Sequence, residues 1–302
     1  MKKVLITGAS GFIGRYAVRL LKEYGYEIHA VSKTPHENDH DKCFWHQQDL
    51  FDFDGIYDLT KQIGPTHLLH LAWDVPPSIY INSLNNYKWV TASMNLIQAF
   101  QRFGGERIVV AGSCIEYDWT QGLLRENETP LSYENPYSTS KNALQHLVKS
   151  YARTVGMSVA WGRIFWLYGP YENQKRLIPS AIKNLLEDKE FVCRDGNSIR
   201  DFLFVSDVAD ALVHLLLSNV EGPVNIASGN ETRIKDILTV VGNQLNKRQL
   251  IKYSKSFDNN PFVVGDTSRL KMELNWYPKI DVETGIYYTI QYWKKAFGGS
   301  YE

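Results

Sequence analysis

The stretch KVLITGASGFIG, residues 3–14, joins a short apolar run to a glycine-rich turn. The turn contains three glycines, Gly8, Gly11 and Gly14. Behind it, residues 12–24 carry apolar side chains at helical spacing, so the order is strand, glycine turn, helix. A glycine pattern alone is weak evidence, but this order is the context that a dinucleotide-binding loop requires. We therefore predict a loop and a helix N-terminus that bind a pyrophosphate.

Each glycine has its own expected role in such a loop. Gly8 permits the tight turn, Gly11 lets the backbone approach the pyrophosphate, and Gly14 lets the helix pack close to the sheet. The alternative is a plain strand–helix turn in which glycine serves only the backbone angles.

Short apolar runs recur along the first half of the chain, at residues 27–32, 67–72, 107–112 and 157–165. Helical patterns lie between them, and this repetition of strand and helix is typical of a parallel sheet covered on both faces. The sequence therefore predicts an α/β fold of the Rossmann type, a doubly wound parallel sheet with right-handed connections.

The pattern changes after residue 165, where turn signals become frequent. We predict an NAD(P)-binding domain at residues 1–165, which also receives segments near 203–228. Residues 166–302 are expected to form a smaller α/β part that mainly binds the substrate. The cleft between the two parts is the expected ligand site.

The composition excludes several classes of partner. The 302 residues have 33 basic and 33 acidic side chains, so the net charge of zero gives no reason to expect nucleic acid or a membrane surface. No stretch approaches the ~20 apolar residues of a membrane span, and the N-terminus does not have the pattern of a signal peptide. Three widely spaced cysteines, Cys43, Cys114 and Cys193, predict a reduced, cytoplasmic protein without disulfides, zinc or another metal.

The second strand ends at Ser32 and Lys33, which bears on the choice of cofactor. An acidic residue about 20 positions after the glycine loop usually binds the ribose hydroxyls of NAD, but the first carboxylate here is Glu37. A hydroxyl and a cation suit a 2′-phosphate better, and Arg15 adds a second charge. We therefore expect NADP(H) rather than NAD(H), the alternative being that Lys33 is an ordinary solvated lysine.

The spacing Tyr-x-x-x-Lys occurs three times among the 18 tyrosines, so spacing alone does not identify a catalytic pair. The pairs are Tyr57/Lys61, Tyr137/Lys141 and Tyr171/Lys175. Only Tyr137/Lys141 follows a buried strand, one that ends at Ser113, and stands after a proline at the start of an apolar helix. Residues four apart on a helix share a face, and the strand end points into the ligand crevice.

These three residue types together allow proton transfer to or from a sugar hydroxyl or carbonyl. A free phenol has a pKa of about 10, which a neighbouring ammonium is expected to lower. Tyr137 is then the acid or base, Ser113 orients the same oxygen, and Lys141 also holds the nicotinamide ribose. The alternative is an exposed tyrosine at a helix start.

Together these segments resemble the extended short-chain dehydrogenase/reductases that act as nucleotide-sugar epimerases, dehydratases and reductases. The resemblance covers nearly the whole chain. Its longest matches are TGASGFIG (7–14), PYSTSK (136–141), RIFWLYGP (163–170) and RDFLFVSDVADA (200–211). Shorter ones are Asp49-Leu50, HLAW (70–73), GSCIEY (112–117) and NWYP (275–278).

The resemblance implies a set of binding residues. Cofactor contacts are implied at Gly8, Ser10, Gly11, Phe12, Ile13, Gly14, Arg15, Ser32, Lys33, Asp49, Leu50, Leu71, Ala72, Trp73, Tyr137, Lys141 and Ile164. Substrate contacts are implied at Trp73, Cys114, Trp166, Arg176 and Arg200. The substrate is a nucleotide-diphosphate sugar, with Arg200 on its diphosphate or ribose. A homodimer is also implied, paired through the helices before Gln101 and after Tyr137, whose apolar residues lie on more than one side.

Departures from the family pattern bear on the reaction. The family's 4,6-dehydratases have Thr-Asp-Glu where this chain has Ser113-Cys114-Ile115, so the acid and base that remove water are missing. Tryptophans stand at three positions where the family has smaller residues: Trp73, Trp89 and Trp166. These rings either pack or reshape the sugar pocket, so the identity of the sugar does not carry over.

The residues favour reduction of a 4-keto-6-deoxy nucleotide sugar, because a ketone needs only a hydride on carbon and a proton on oxygen. A nucleotide-sugar C4 epimerase can use the same three residues and remains the alternative, with a dehydratase less favoured. Two other classes are a cofactor-sensing protein without turnover, which would not need Ser113, Tyr137 and Lys141 together, and a reductase of non-sugar carbonyl compounds. The cation at Arg200 argues against the latter.

Overall fold

The structure is a computed structural model that describes residues 2–36, 42–254 and 262–297. The strands are β1 Lys3–Thr7, β2 Glu27–Ser32, β3 Cys43–Gln47, β4 His67–His70, β5 Arg107–Ser113, β6 Leu123–Leu124, β7 Ser158–Ile164, β8 Trp166–Tyr168, β9 Phe191–Cys193, β10 Ile199–Arg200, β11 Phe202–Phe204, β12 Gly222–Ile226, β13 Thr232–Arg233, β14 Ile251–Tyr253 and β15 Phe262–Gly265. The α-helices are α1 Gly14–Glu23, α2 Phe53–Ile63, α3 Asn85–Arg102, α4 Pro136–Val155, α5 Leu177–Leu186, α6 Val205–Leu217, α7 Ile234–Gln244, α8 Ser268–Leu274 and α9 Val282–Phe297.

The largest sheet has seven strands in the order β12-β7-β5-β4-β1-β2-β3. All its neighbouring pairs are parallel. Parallel strands are buried on both faces, and β1, β2 and β4 accordingly consist almost entirely of buried residues. The predicted doubly wound fold is confirmed.

Helices cover both faces of this sheet. On one face α1 packs against α6, and their apolar side chains form a core with Val4 and Ile6. On the other face α2, α3 and α4 pack side by side over Leu5 and Leu68. Because residues alternate between faces along a strand, β1 contributes to both cores. No helix within the described ranges is long and apolar enough to cross a membrane.

The C-terminal part has smaller sheets and a core of its own. A four-stranded sheet has the order β13-β10-β15-β6, so β6, from the first half of the chain, adds an edge strand to this part; two pairs, β11-β8 and β14-β9, complete the strands. Helices α5, α7 and α9 pack around a third apolar cluster that includes Ile182, Leu238 and Ile290.

Two strands of the large sheet were not predicted from the sequence. The edge strand β3 has the mixed sequence CFWHQ and only one fully buried residue, so it lacks the continuous apolar run of a central strand. The other edge strand, β12, lies in the segment near 203–228 that we assigned to the NAD(P)-binding domain, but we predicted no strand there, because it begins with Gly222-Pro223, residue types that are typical of turns. Proline is tolerated at the edge of a sheet, where one side of the strand has no partner.

The carboxyl ends of the parallel strands form the upper edge of the sheet, where ligands of such folds bind. Ser32 ends β2, His70 ends β4, Ser113 ends β5 and Ile164 ends β7. The predicted cofactor and catalytic residues therefore come from neighbouring strands of one edge.

Candidate active site

The glycine loop has no room for larger side chains. Gly8 has φ +68°, and a Cβ there would lie 2.9 Å from the backbone nitrogen of Ala72. A Cβ on Gly14 would overlap the carbonyl oxygens of Gly8 and Ala9. The Gly11 N–H donates to the Gly8 carbonyl at 3.0 Å, which closes the turn.

Helix α1 begins at Gly14, directly behind this turn, and no side chain caps its N-terminus. The first N–H groups of a helix lack partners within the helix, and the helix dipole is positive at this end. A close-packed glycine turn leading into an uncapped helix fits a pyrophosphate, so the residues present suit a dinucleotide cofactor.

The end of β2 presents hydroxyl groups. The Ser32 Oγ lies 3.0 Å from the Ser10 Oγ and 3.1 Å from the Thr34 Oγ1. The Lys33 ammonium is half-exposed, 3.5 Å from the Asp49 carboxylate and 5.1 Å from the centre of the Phe51 ring. Glu37, the first carboxylate after β2, lies outside the described residues.

Arg15 is engaged by the glycine loop. Its guanidinium donates to the carbonyl oxygens of Ser10 (2.9 Å) and Gly11 (3.2 Å) and lies 3.9 Å from the centre of the Tyr171 ring. Arg15 thus connects the glycine loop to the segment behind β8. None of these three described contacts is with Lys33.

The loop after β4 is held against β1. Thr7 accepts a hydrogen bond from the Ala72 N–H through its Oγ1 (3.3 Å), and its carbonyl accepts one from the Leu71 N–H (3.2 Å). The Thr7 Oγ1 also lies 2.6 Å from the Nδ1 of His70, whose Nε2 lies 2.8 Å from the Ser93 Oγ. Full burial lowers the pKa of His70 to about 3, so this histidine is neutral.

Ser113 stands where β5 changes into a short 3-10 helix, Cys114–Glu116. Its Oγ accepts from the Ile115 N–H at 3.2 Å, and its own N–H donates to the Glu116 carboxylate at 2.8 Å. This reciprocal cap fixes both the backbone and the side chain of Ser113 at the edge of the sheet.

Tyr137 and Lys141 lie in the first two turns of α4, as predicted from the sequence. Asn135 caps this helix through a bond from the Ser138 N–H, and Pro136 occupies its first turn. Both side chains are buried, with exposed fractions of 6% for Tyr137 and 3% for Lys141. The Lys141 Nζ donates to the Ala111 carbonyl at 2.8 Å, which anchors α4 to β5.

The expected lowering of the Tyr137 pKa by Lys141 depends on an ammonium close to the phenol, and the described contacts of Lys141 lie elsewhere. Burial raises the pKa of Tyr137 well above its ordinary value, and an interaction with the Ser113 side chain opposes this only in part. The Lys141 Nζ is 6.0 Å from the centre of the Tyr137 ring and is committed to Ala111. Burial also lowers the pKa of Lys141, to about 7.

Trp73 lies beside this pair. Its ring centre is 3.7 Å from the Lys141 Nζ and 6.3 Å from the Tyr137 ring, which it meets edge-on. Trp89, the second of the unusual tryptophans, stacks behind it at 5.8 Å and is buried. Both rings thus belong to one aromatic cluster behind the catalytic pair.

Three of the predicted substrate residues form a second group. The Arg200 guanidinium lies 5.0 Å from the centre of the Trp166 ring and pairs with Asp195 at 3.4 Å. Cys114 is buried close enough for its thiol to interact with Arg200, and burial raises the pKa of that thiol, so it is neutral. Its carbonyl accepts a hydrogen bond from the Trp119 indole at 2.9 Å.

Arg176, the remaining substrate candidate, lies at the start of α5. Its guanidinium donates to the Val75 carbonyl at 3.3 Å and lies 5.2 Å from the Tyr80 ring. Tyr80 in turn meets the Tyr137 ring at 5.0 Å, so one ring separates Arg176 from the predicted catalytic tyrosine.

Sequence reasoning missed several residues of the site. Tyr80 and Trp119 had no signal, because they are single aromatics in irregular segments. Glu116, which positions Ser113, was also missed, although it lies only three residues after Ser113 in the same segment. Asp201 accepts hydrogen bonds from the N–H groups of Ser228, Gly229 and Gly265 and so ties β11 to two other segments. The adjacent Arg-Asp sequence was a signal for this position that we attributed to Arg200 alone.

The fold and the glycine loop define a Rossmann-type dinucleotide-binding protein. Comparison with known families supports a narrower assignment, since the model of the NAD dependent epimerase/dehydratase family matches residues 4–227. The dTDP-glucose 4,6-dehydratase of Escherichia coli is 28% identical over 99% of this chain and 97% of that protein. The UDP-glucuronate 4-epimerase of Thermodesulfobacterium geofontis is 26% identical over 96% of this chain and 95% of that protein.

Solved structures show the same fold. The UDP-glucose 4-epimerase of Thermus thermophilus, solved as a complex with NAD, superposes with a TM-score of 0.84 at 24% identity, covering 97% of this chain and 99% of that one. The chain belongs to the NAD dependent epimerase/dehydratase family. It is an enzyme of the extended short-chain dehydrogenase/reductase type, and the family predicted from its motifs is confirmed.

Proposed function

We propose that this enzyme reduces the C4 ketone of a 4-keto-6-deoxy nucleotide sugar, with NADPH as the hydride donor. The observation that carries the proposal is the chemistry beside Ser113. Cys114 is neutral and Ile115 is apolar, so neither supplies the acid or base that removal of water requires. Ser113, Tyr137 and Lys141 suffice for reduction of a ketone.

Glu116 is the nearby carboxylate, and its contacts argue against a role in elimination. It is fully buried and accepts from the Arg163 guanidinium at 2.8 Å, from the Trp161 indole at 3.0 Å and from the Ser113 N–H at 2.8 Å. A carboxylate with all these partners is structural, because proton transfer to a substrate needs a free lone pair within reach.

The protonation states favour reduction as well. A Tyr137 phenol with a raised pKa carries its proton at neutral pH and can donate it to a carbonyl oxygen that gains negative charge. Ser113 lies at the same edge and orients that oxygen. The nicotinamide supplies the hydride when it is bound, and the charged form of Lys141 favours the developing alkoxide electrostatically, although burial lowers the pKa of this lysine to about 7.

Two arginines support a nucleotide-diphosphate sugar as substrate. The Arg200 guanidinium lies beside the Trp119 and Trp166 rings, 5.8 Å and 5.0 Å from their centres, and Arg176 lies 5.2 Å from the centre of the Tyr80 ring. Guanidinium groups match phosphate oxygens with paired hydrogen bonds, and flat rings suit the faces of a base or sugar. The curated relatives are named for dTDP-glucose and UDP-glucuronate, which agrees with this class of substrate.

The phosphorylated cofactor is supported by the end of β2. The hydroxyls of Ser10 and Thr34 lie within 3.0–3.1 Å of the Ser32 hydroxyl, where a carboxylate would otherwise bind the ribose of NAD. Lys33 adds a half-exposed cation. Titration of dialysed protein with NADPH and NADH tests this preference, and tighter binding of NADH would contradict it.

A nucleotide-sugar C4 epimerase is the second candidate, because it uses the same three residues and one curated relative is named as a 4-epimerase. The deciding experiment supplies a 4-keto-6-deoxy nucleotide sugar with NADPH and follows the nicotinamide absorbance. Stoichiometric loss of NADPH with a new deoxysugar supports the reductase. Interconversion of two sugars without net loss of cofactor identifies the epimerase instead.

We also propose a homodimer formed through α3 and α4. These helices pack against each other over the large sheet, and Leu147 on α4 leaves 47% of its surface exposed. Apolar surface on neighbouring helices suits a four-helix interface related by a two-fold axis. Light scattering at micromolar concentration tests this, and a monomer mass of the single 34.7 kDa chain would count against it.

A further inference from the structure

Trp73 is fixed more firmly than its position in a loop suggests. Its indole Nε1 donates to the Asn86 Oδ1 at 2.8 Å, and Trp89 stacks behind its ring at 5.8 Å. Asn86 is itself buried and donates through its Nδ2 to the carbonyls of Tyr80 (2.6 Å) and Ser83 (2.8 Å). The ring is therefore held in place by a chain of contacts on α3 and the segment before it.

The face of this ring covers the ammonium of Lys141 at 3.7 Å. Lys141 is almost fully buried and has one described hydrogen bond, to the Ala111 carbonyl at 2.8 Å. A buried ammonium is unstable unless its charge is compensated, and the negative face of an indole compensates best among the aromatic side chains. Trp73 thus occupies the position from which a ring stabilises the charged form of Lys141.

Other titratable groups near Lys141 compensate this charge less directly. Glu116 favours the charged form, but its carboxylate is bound to Arg163. His70 on β4 is neutral, because burial lowers its pKa to about 3. Tyr137 on the same helix also carries no charge, because burial raises its pKa.

We propose that Trp73 is a positioning residue for Lys141: the indole face favours the charged form of the buried ammonium and fixes its place, and Asn86 holds the indole in this position. The proposal rests on the proposed function in one respect only, the use of a charged Lys141 in reduction.

The test measures the pKa of Lys141 directly. Protein with 15N-labelled lysine is titrated by side-chain NMR, and the Lys141 signal is assigned by its absence in Lys141→Gln. Trp73→Leu removes the π face while keeping an apolar side chain, and we expect the pKa of Lys141 to fall by roughly one unit. Trp73→Phe keeps an aromatic ring with a weaker negative face, so the pKa of Lys141 should fall by less. This variant also tests the proposal if Trp73→Leu does not fold.

Trp45→Leu is the matched control, because Trp45 is a partly buried tryptophan on the edge strand β3 that stacks on His36 at 4.3 Å. It should leave the pKa of Lys141 unchanged. An unchanged pKa in folded Trp73→Leu and Trp73→Phe overturns the proposal, as does an equal shift in Trp45→Leu. Circular dichroism establishes that each variant is folded.

Activity gives a separate readout. If the enzyme is the proposed reductase, the alkaline limb of kcat/KM against pH should move down in Trp73→Leu by the same amount as the NMR pKa, because a deprotonated lysine no longer stabilises the alkoxide. If the NMR shift occurs but wild-type protein does not reduce the keto sugar, the role of Trp73 stands and the proposed function fails.

Discussion

The Glu116 carboxylate and the Arg163 guanidinium form an ion pair of 2.8 Å in which both side chains are enclosed, with exposed fractions of 0% and 2%. The pair lies directly behind Ser113, whose N–H donates to the same carboxylate. The Arg163 guanidinium also donates to the Gln145 side chain and to the Glu126 carbonyl. A charged cluster therefore supports the strand end that carries the catalytic serine.

Glu116→Gln should be strongly destabilising. It removes the carboxylate and leaves the Arg163 charge buried and unpaired, which typically costs about 3–5 kcal/mol. Urea unfolding followed by circular dichroism measures the loss. Glu128→Gln is the control, because Glu128 pairs with Arg125 at the surface, and such pairs contribute about 0–1 kcal/mol. Equal losses in the two variants would contradict the structural role given to Glu116.

Tyr137→Phe should abolish turnover and leave cofactor binding nearly unchanged. Loss of a general acid typically costs roughly 10²–10⁴-fold in rate, whereas the phenyl ring keeps its packing against Tyr80 and Trp73. Steady-state kinetics and a fluorescence titration of NADPH measure the two effects. Tyr171→Phe, at the exposed member of another Tyr-x-x-x-Lys pair, should remain active. The opposite result would show that the wrong pair had been chosen.

The Tyr137/Lys141 pair illustrates what the sequence could predict. Asn135 and Pro136 are residue types that favour the start of a helix, so the start of α4 is predictable from neighbouring residues alone. Residues four apart on a helix share a face whatever the rest of the fold does. The glycine loop is local in the same sense, since strand, turn and helix follow one another within the first 23 residues.

Contacts between distant segments were not predictable in this way. Trp73 and Lys141 are brought together by the packing of β4 beside β5 and of α4 over the sheet, which no local pattern specifies. The same holds for Glu116 and Arg163, which are 47 positions apart. The expected effect of Lys141 on the pKa of Tyr137 assumed that the ammonium faces the phenol, whereas the Lys141 Nζ is 3.7 Å from the centre of the Trp73 ring and 6.0 Å from that of Tyr137.

Lys33→Ala should weaken NADPH binding about tenfold and leave NADH binding unchanged, since a charge-assisted hydrogen bond to phosphate is lost. Ser32→Asp should shift the preference toward NADH, because a carboxylate at the end of β2 binds ribose hydroxyls and repels a phosphate. Isothermal titration calorimetry with both cofactors measures this. Lys61→Ala, in the last turn of α2, is the control and should change neither affinity. Equal effects of Lys33→Ala on both cofactors would mean that Lys33 does not contact the phosphate.

His70 should make the protein less stable on acidification. Its folded pKa of about 3 lies below the ordinary value of about 6.5, so between these limits the unfolded chain binds a proton that the folded chain excludes. The free energy of unfolding then falls as the pH falls, by up to about 1.4 kcal/mol per pH unit for one such group. His29 and His46, whose pKa values are also lowered by burial, add to the slope.

Urea midpoints of wild type and His70→Asn between pH 7 and pH 4.5 test this. The variant loses the contacts of the imidazole with Thr7 and Ser93 and should be less stable at pH 7. Its stability should nevertheless depend less steeply on pH, because the variant lacks the histidine whose protonation the folded chain prevents. Parallel slopes in the two proteins would show that His70 takes up its proton in the folded state.

Arg200→Leu should raise the KM for the nucleotide sugar about 10- to 100-fold, since paired hydrogen bonds from a guanidinium to phosphate are lost. Stability should change less, because Asp195, its described ion-pair partner, is half-exposed and becomes solvated. Arg200→Lys keeps the charge but loses the paired geometry, so its KM should fall between those of Arg200→Leu and wild type.

Calorimetry with UDP, dTDP, GDP and CDP separates binding of the nucleotide from the chemistry. Arg194→Leu, at an exposed position on the preceding turn, is the control. If Arg200→Leu binds every nucleotide as wild type does while Arg176→Leu binds none, the diphosphate lies at Arg176, and the role assigned to Arg200 is wrong.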